Sequence, residues 1–330
     1  MGTNRSRLRP YEPIPRISTY WDEPSARRYS LTDSHLEEGP LFKTFNKDFF
    51  YQHILPTGPI AWRHQSQLVP GQLLSLKIER FVAELKDKKR KFADMVLLKD
   101  TDFNYRNFCG CIIVRFKEYP FVVKLFVENP KSFVHPFSKG FEPCCFFVMG
   151  GGIMRHLTGF TRIQNLEDIR KLVSQDPYWS QIIDTPRKWF WLPQQPRWFV
   201  VEGEHIGNKA HLTTRLPSVY AIVADEIKIK KKVSLLNAEQ SHRCMKFCQF
   251  TQYRIDPHIC NFRVERSTGK LVLIDTENFR ALVGLKARFA VDSYFDWYMH
   301  LTAKCAKDKF FRTKYDRKMA QQMNWEEYTS

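Results

Sequence analysis

The stretch NFCGCIIVRFKEYPFVVKLFVENP, Asn107 to Pro130, does most to limit the folds open to this chain. It holds two short runs rich in β-branched and aromatic residues, Cys111 to Phe116 and Phe121 to Val127. Between them, Glu118-Tyr119-Pro120 has the composition of a turn. Two such runs with a short turn predict an antiparallel hairpin. Lys124 stands inside the second run, between Val123 and Leu125. On a sheet with one wet face it is a surface lysine. On a sheet that faces a ligand its ammonium would meet a phosphate.

Helical and strand patterns alternate around this hairpin. LLSLKIERFVAELKDKKRK, from Leu73, has helical spacing at least to Phe81 and Leu85, and its KDKKRK end reads as a solvated terminus where positive charge suits the helix dipole. NLEDIRKLVSQ predicts a helix from Asn165, and Gly150 to Gly152 before it predict a flexible turn. Trp198 to Val201 reads as a strand, and Ser234 to about Phe250 as a long helix beside Lys228 and Lys230 to Lys232. Ile259 to Val264 and Leu271 to Ile274 read as two further strands joined by ERSTGK. The tail from Arg288 to Glu327 is mostly helical, aromatic and basic in pattern. Residues 1–40, rich in Pro, Arg and Ser, read as an extended arm laid on the body through Tyr11, Tyr20 and Trp21.

Composition narrows the function classes. With 43% hydrophobic and 26% charged residues, 330 residues form a globular body with a sizeable core. A formal charge of +17 draws anionic partners: nucleotides, nucleic acid, acidic lipid, an anionic substrate or an acidic protein. The eight cysteines show no paired metal spacing and suit free thiols in a reducing, cytoplasmic setting. No apolar run reaches membrane-spanning length. Gly2 with Ser6 fits the loose acylation pattern, and Arg5, Arg7 and Arg9 would add a weak hold on an anionic membrane. RKWFW and KFFRTKY interleave bases with aromatics, so nucleic-acid binding by stacking is one expectation, although no nucleic-acid motif is present.

The residues with the clearest chemistry lie in YRIDPHICNF and KLVLIDTENF. A strand Leu271–Ile274 would deliver Asp275 at a sheet edge, and the ERSTGK turn would bring Asn261 beside it. Asp256 precedes them in a loop stiffened by Pro257. Hard oxygen ligands of this kind suit a divalent cation with phosphate oxygens completing the shell. Asp275 and Asn261 could supply them. Asp256 could orient an incoming hydroxyl, and Lys124 could reach the phosphates. Each residue also has an ordinary reading as a turn former, a cap or a surface charge.

RIDPHICN and LVLIDTENF, and more loosely FVVKLF and RWFVVEGEHI, resemble the protein-kinase-like fold over roughly residues 105–300. The resemblance implies an α+β fold of two lobes, a small antiparallel-sheet N-lobe and a mainly helical C-lobe. It sets the N-terminal extension and N-lobe at 41–200, and the hinge and helical C-lobe at 201–330. It implies ATP and Mg²⁺ as cofactors, Asp256 and Lys124 as catalytic residues, and Asn261 and Asp275 as metal ligands. Lys124, Glu202, Gly203 and Gly110 would then contact the nucleotide, with Val201 to Glu204 as the hinge. Departures are clear. Arg254-Ile255-Asp256 replaces the usual His-Arg-Asp, His258 replaces a lysine, and Asp275-Thr276-Glu277 replaces Asp-Phe-Gly. Gly110 is the one glycine before Lys124 in place of a glycine-rich loop, and the acid that should pair with Lys124, with Glu142 and Glu167 as candidates, is not assigned. An atypical phosphotransferase acting on a hydroxyl, or a pseudokinase that serves as an interaction scaffold, follows from that pattern.

Overall fold

From the N-terminal side the elements are β1 (Pro13–Trp21), β2 (Tyr29–Glu37), a π-helical turn (Gly39–Lys43), α1 (Lys47–Gln52), β3 (Pro59–Ala61), β4 (Leu68–Pro70), α2 (Gly71–Lys86), β5 (Met95–Lys99), β6 (Phe103–Asn104), β7 (Cys109–Phe116), β8 (Phe121–Val127) and α3 (Pro130–Val134). Then come α4 (Gly151–Gln175), α5 (Pro177–Ile182), β9 (Ile183–Asp184), β10 (Lys188–Trp191), β11 (Trp198–Glu204), β12 (His211–Pro217), β13 (Val219–Asp225), β14 (Ile229–Lys232), α6 (Ala238–Phe250), β15 (Phe262–Glu265) and β16 (Leu271–Leu273). This computed structural model describes residues 13–37, 39–134, 151–204, 211–233, 237–252, 254–255 and 261–278. Gly2, Ser6, Tyr11, Gly150 and the tail from Arg288, with KFFRTKY, lie outside the described residues.

The chain is mixed α+β, and among the described residues the strand pairs are antiparallel apart from β16 with β9. β7 and β8 form the expected hairpin, with Lys124 opposite Ile113. β13 pairs the far edge of β8, and the sheet runs β10-β13-β8-β7-β5. Alternation along β8 divides its side chains between two cores. Phe121, Val123 and Leu125 join Leu74, Ile78, Phe81 and Leu85 of α2 on one face. Phe126 faces the other way and joins Tyr220, Phe160 and Leu157. The α2 helix stops at Lys86 with Asp87 as C-cap, so most of KDKKRK follows the helix.

Residues 13–37 are not a loose arm. β1 inserts between β2 and β11, with Ile17 opposite Gly203, and Ile14 and Ile17 are fully buried. Apolar residues hidden among Pro and Arg supply that anchor. The boundary at 200/201 also fails to divide the chain. β12 and β13 follow it, and they pair with β11 and β8, which precede or span it. In the region expected to be a helical lobe, the described residues contain three strands besides these two, together with α6.

Helix α4 begins at Gly151, well upstream of the predicted start at Asn165. Its residues 156–160 are all buried, so no polar face marks the helix in the sequence. At 25 residues it is about 37 Å long. Phe160 and Leu157 anchor it in the core under the β8 sheet, and Ile169 anchors it in a second cluster with Trp179, Phe247 and Phe262. Gly159 permits the approach, because a Cβ there would meet the Tyr220 hydroxyl at 1.9 Å.

Arg63 ties the second cluster to the β3–β4 turn. Its guanidinium donates to Glu265 Oε1 at 2.8 Å, to Asp184 Oδ2 at 2.6 Å and to the Thr185 carbonyl at 3.0 Å. Glu265 is 2% exposed, so losing Arg63 leaves a buried carboxylate without its main partner. Arg63→Ala is expected to cost about 3 kcal/mol of unfolding free energy, read from the urea midpoint. A change below about 0.5 kcal/mol would place Arg63 with the ordinary surface ion pairs.

Candidate functional site

Three separate parts of the chain deliver charge to one place. β8 supplies Lys124, α4 supplies Arg162, and the segment after β16 supplies Asp275, Thr276 and Glu277. The hairpin of β15 and β16 sets that segment in position. Phe262 pairs with Leu273, and the Ile274 amide donates to the Asn261 carbonyl at 2.8 Å. Beyond it, Ile255 bridges Asn278.

The aromatic stack under β8 places Arg162. Phe126 stacks on Tyr220, and Tyr220 stacks on Phe160 of α4. Arg162 lies one residue pair beyond Phe160, with its guanidinium carbon 5.5 Å from the Phe126 ring centre. The Lys124 ammonium lies 6.0 Å from the same centre.

Both carboxylate oxygens of Asp275 meet cations. Lys124 Nζ donates to Oδ2 at 2.8 Å, and Arg162 Nε donates to Oδ1 at 2.8 Å. Arg162 Nη2 donates to Glu277 Oε2 at 2.7 Å. Lys188, from β10, donates to Thr276 Oγ1 at 2.8 Å, and that hydroxyl donates to the Arg162 carbonyl at 2.5 Å. Asn165 Nδ2 donates to the Thr276 carbonyl at 3.0 Å and to the Arg254 carbonyl at 3.1 Å, which closes the segment against α4.

Burial and charge oppose each other here. Asp275 lies deep among protein atoms, although 24% of its side-chain surface is open. Burial alone would raise its pKa, but Arg162, Lys124 and Lys188 outweigh burial and hold the carboxyl well below the usual range. Burial would also strip the proton from Arg162, but Asp275 and Glu277 keep it charged. Lys188 has less compensation. Burial, helped by the positive charges of Arg162 and Lys124, pushes its ammonium down to about 7 against the attraction of Asp275.

The resemblance gave Asp275 and Asn261 to a divalent cation. The arrangement does not fit one. A cation bound at Asp275 would replace or crowd two positive groups already on its oxygens. A second cluster, His64, Asp184 and Glu265, has ligand atoms within 4.8 Å of one another, but Arg63 occupies both carboxylates.

Other expected site residues lie elsewhere. Asp256, His258 and His205 are outside the described residues, as is Glu142. Glu167 is not the ion-pair partner of Lys124; its Oε1 meets His53 Nε2 at 2.7 Å. Glu202 and Gly203 are not a hinge. They lie inside β11 with β1 on one side and β12 on the other, so strand pairing takes the backbone groups that would hold adenine. The Glu202 carboxylate meets Arg28 at 2.6 Å, and a Cβ on Gly203 would meet Ile14 at 2.9 Å. Gly110 is no phosphate loop. It holds φ +113° in β7, where a Cβ would meet the Asp102 carbonyl at 2.1 Å. Phe190 and Trp191 of RKWFW are buried core residues and do not offer a stacking surface. Arg162 and Lys188 carry no sequence signal for this site. Lys188 sits in an aromatic strand, and Arg162 lacks any motif.

A cavity of about 300 Å³ adjoins α4, lined by residues including Phe45, Phe160, Gln164, Asn165 and Asn278. The side-chain Oδ1 of Asn165 is buried without a hydrogen-bond partner among the described residues. No helix among the described residues is long and apolar enough to cross a membrane. Comparison with protein-family models, curated proteins and solved structures gave no match.

Lys188 sets a pH dependence. An unfolded lysine keeps its proton to about 10.5, and the buried one loses it near 7. Between these values the unfolded chain binds more protons, so stability rises with pH from about 7 to 10.5 and the penalty is full below 7. Lys188→Met is expected to flatten the rise in urea midpoint between about pH 7 and pH 9.5. An equal rise in parent and variant would give Lys188 an ordinary pKa.

Proposed function

We propose that this chain is a kinase-like protein that binds the phosphates of a nucleotide at the Lys124–Asp275 centre and acts as an interaction scaffold. The observation that carries this reading is the 2.8 Å pair between Lys124 on β8 and Asp275 beyond β16. A strand lysine and a carboxylate after a hairpin, 151 residues apart, meet in one partly open position. The motif order assigns both residues to one nucleotide site, Lys124 to the phosphates and Asp275 to the metal. In this reading the sheets around β8 form the smaller lobe, and the part that holds α6 forms the other.

Arg162 favours binding over transfer. The helix that packs under the lysine strand offers a cation where a carboxylate partner for Lys124 was expected, and Lys124 turns to Asp275 instead. The basic chain suits an anionic ligand or an acidic protein partner, and it would draw ATP to the site before contact.

Phosphoryl transfer to a hydroxyl is the second reading. It is favoured by the bridge between Ile255 and Asn278, which joins the residue before Asp256 to the Asp275 segment. Asp256 would then orient the hydroxyl.

Thermal unfolding with and without ATP tests the main reading. ATP at about a hundredfold its Kd should add about 2.7 kcal/mol of stability, and Lys124→Met should lose most of that gain. No ATP-dependent rise in Tm would remove the nucleotide reading. Transfer of phosphate to any acceptor, lost in Asp256→Asn, would establish the second reading over the first.

A further inference from the structure

We infer that the Asp275 centre holds a polyphosphate chain directly through the Lys124 ammonium, over a base charged by Arg162, with no divalent metal ion. This rests on the nucleotide-phosphate reading above and specifies its chemistry. Three cationic side chains, Lys124, Arg162 and Lys188, converge on a segment that carries two carboxylates, Asp275 and Glu277. Lys124 and Arg162 already balance the two carboxylates, and Lys188, bonded to Thr276 Oγ1, adds positive charge whenever it is protonated. A metal-binding carboxylate needs the opposite balance, because a hard cation is held by uncompensated negative oxygens.

The cluster has a floor and a mouth. The Arg162 side chain is 5% exposed, and that of Glu277 is 9%. Lys124 and Asp275 keep 19% and 24%. Arg162 is therefore a fixed positive base, gripped by both carboxylates, and Lys124 is the reachable cation. Its ammonium sits on a flexible stem and can pass from Asp275 to a phosphate oxygen. A phosphate gains a charge-assisted hydrogen bond in that exchange, and Asp275 keeps Arg162. A divalent cation gains nothing comparable, since it would approach the side of Asp275 that Lys124 already neutralises.

The two modes predict opposite effects of one substitution. Asp275→Asn removes a negative charge from the mouth. If the cations hold the phosphate, affinity for ATP stays level or tightens. If Asp275 holds a metal, affinity collapses.

The experiment measures ATP and inorganic tripolyphosphate binding by calorimetry, once in EDTA and once in Mg²⁺, on the parent protein, Lys124→Met and Asp275→Asn. Circular dichroism confirms that each variant is folded. The expected result is a Kd for ATP in EDTA within about threefold of that in Mg²⁺ and competition by tripolyphosphate. Lys124→Met should weaken both ligands about tenfold or more, the value of one charge-assisted bond. The EDTA comparison on the parent protein needs no variant, so a poorly folded Asp275→Asn leaves it decisive. Binding that requires Mg²⁺ overturns this inference and leaves the nucleotide reading intact. ATP binding without competition by tripolyphosphate also overturns it, because recognition then lies with the base or sugar. No ATP binding in either buffer overturns both.

Discussion

A buried guanidinium persists only where carboxylates surround it, and Arg162 is buried in the middle of this fold. It needs Asp275 and Glu277, and those residues stand at the end of a hairpin that belongs to another core cluster. The charge therefore adds a polar tie between two clusters that the apolar residues of α4 also bridge. Losing either carboxylate partner of such a buried charge typically costs about 3–5 kcal/mol, more than a surface ion pair contributes. Helix α4 spans both clusters, so the ionic contact and the helix reinforce each other.

That constraint also shapes the candidate site. The segment from Asp275 to Asn278 is held on one side by Arg162 and Asn165, from below by Lys188 and at its open side by Lys124. Its chemistry is that of a satisfied but cation-rich network. Low local dielectric strengthens each contact and raises the penalty for an unpaired member. Lys188 shows the limit of the arrangement: its charge is the one that burial comes close to removing. An anion entering beside Lys124 would meet a positive charge at the open side of the network, whereas a cation would be repelled by it.

Local patterns were legible where one face of an element is wet or where a turn has its own composition. The β7–β8 hairpin, the α2 helix and the β15–β16 hairpin all follow from such patterns. The order Lys124, Asn261, Asp275 was likewise readable, but the 2.8 Å pair of Lys124 with Asp275 was not, because no local pattern links them. The start of α4 was not legible, because Gly151 and Gly152 have the composition of a turn and residues 156–160 are all buried, with no wet face to set a helical period. Residues 13–37 looked like an arm because Pro and Arg mask Ile14 and Ile17, whose burial depends on β11 far along the chain. Val201 to Glu204 has the composition of a hinge, but its role depends on whether its edges are free, and β1 and β12 occupy both.

The sequence by itself determined the short-range elements: alternation makes β8 a strand with Lys124 on the side away from Val123, and ERSTGK folds β15 back on β16. Tertiary structure alone decided which charges face one another. Arg162 and Lys188 belong to the Asp275 centre because α4 and β10 pack around it, and neither residue has a neighbour in sequence that announces this. The physical reason is range. Backbone propensity and side-chain periodicity act over a few residues, whereas a buried charge is matched by partners more than a hundred residues away, chosen when the cores assemble.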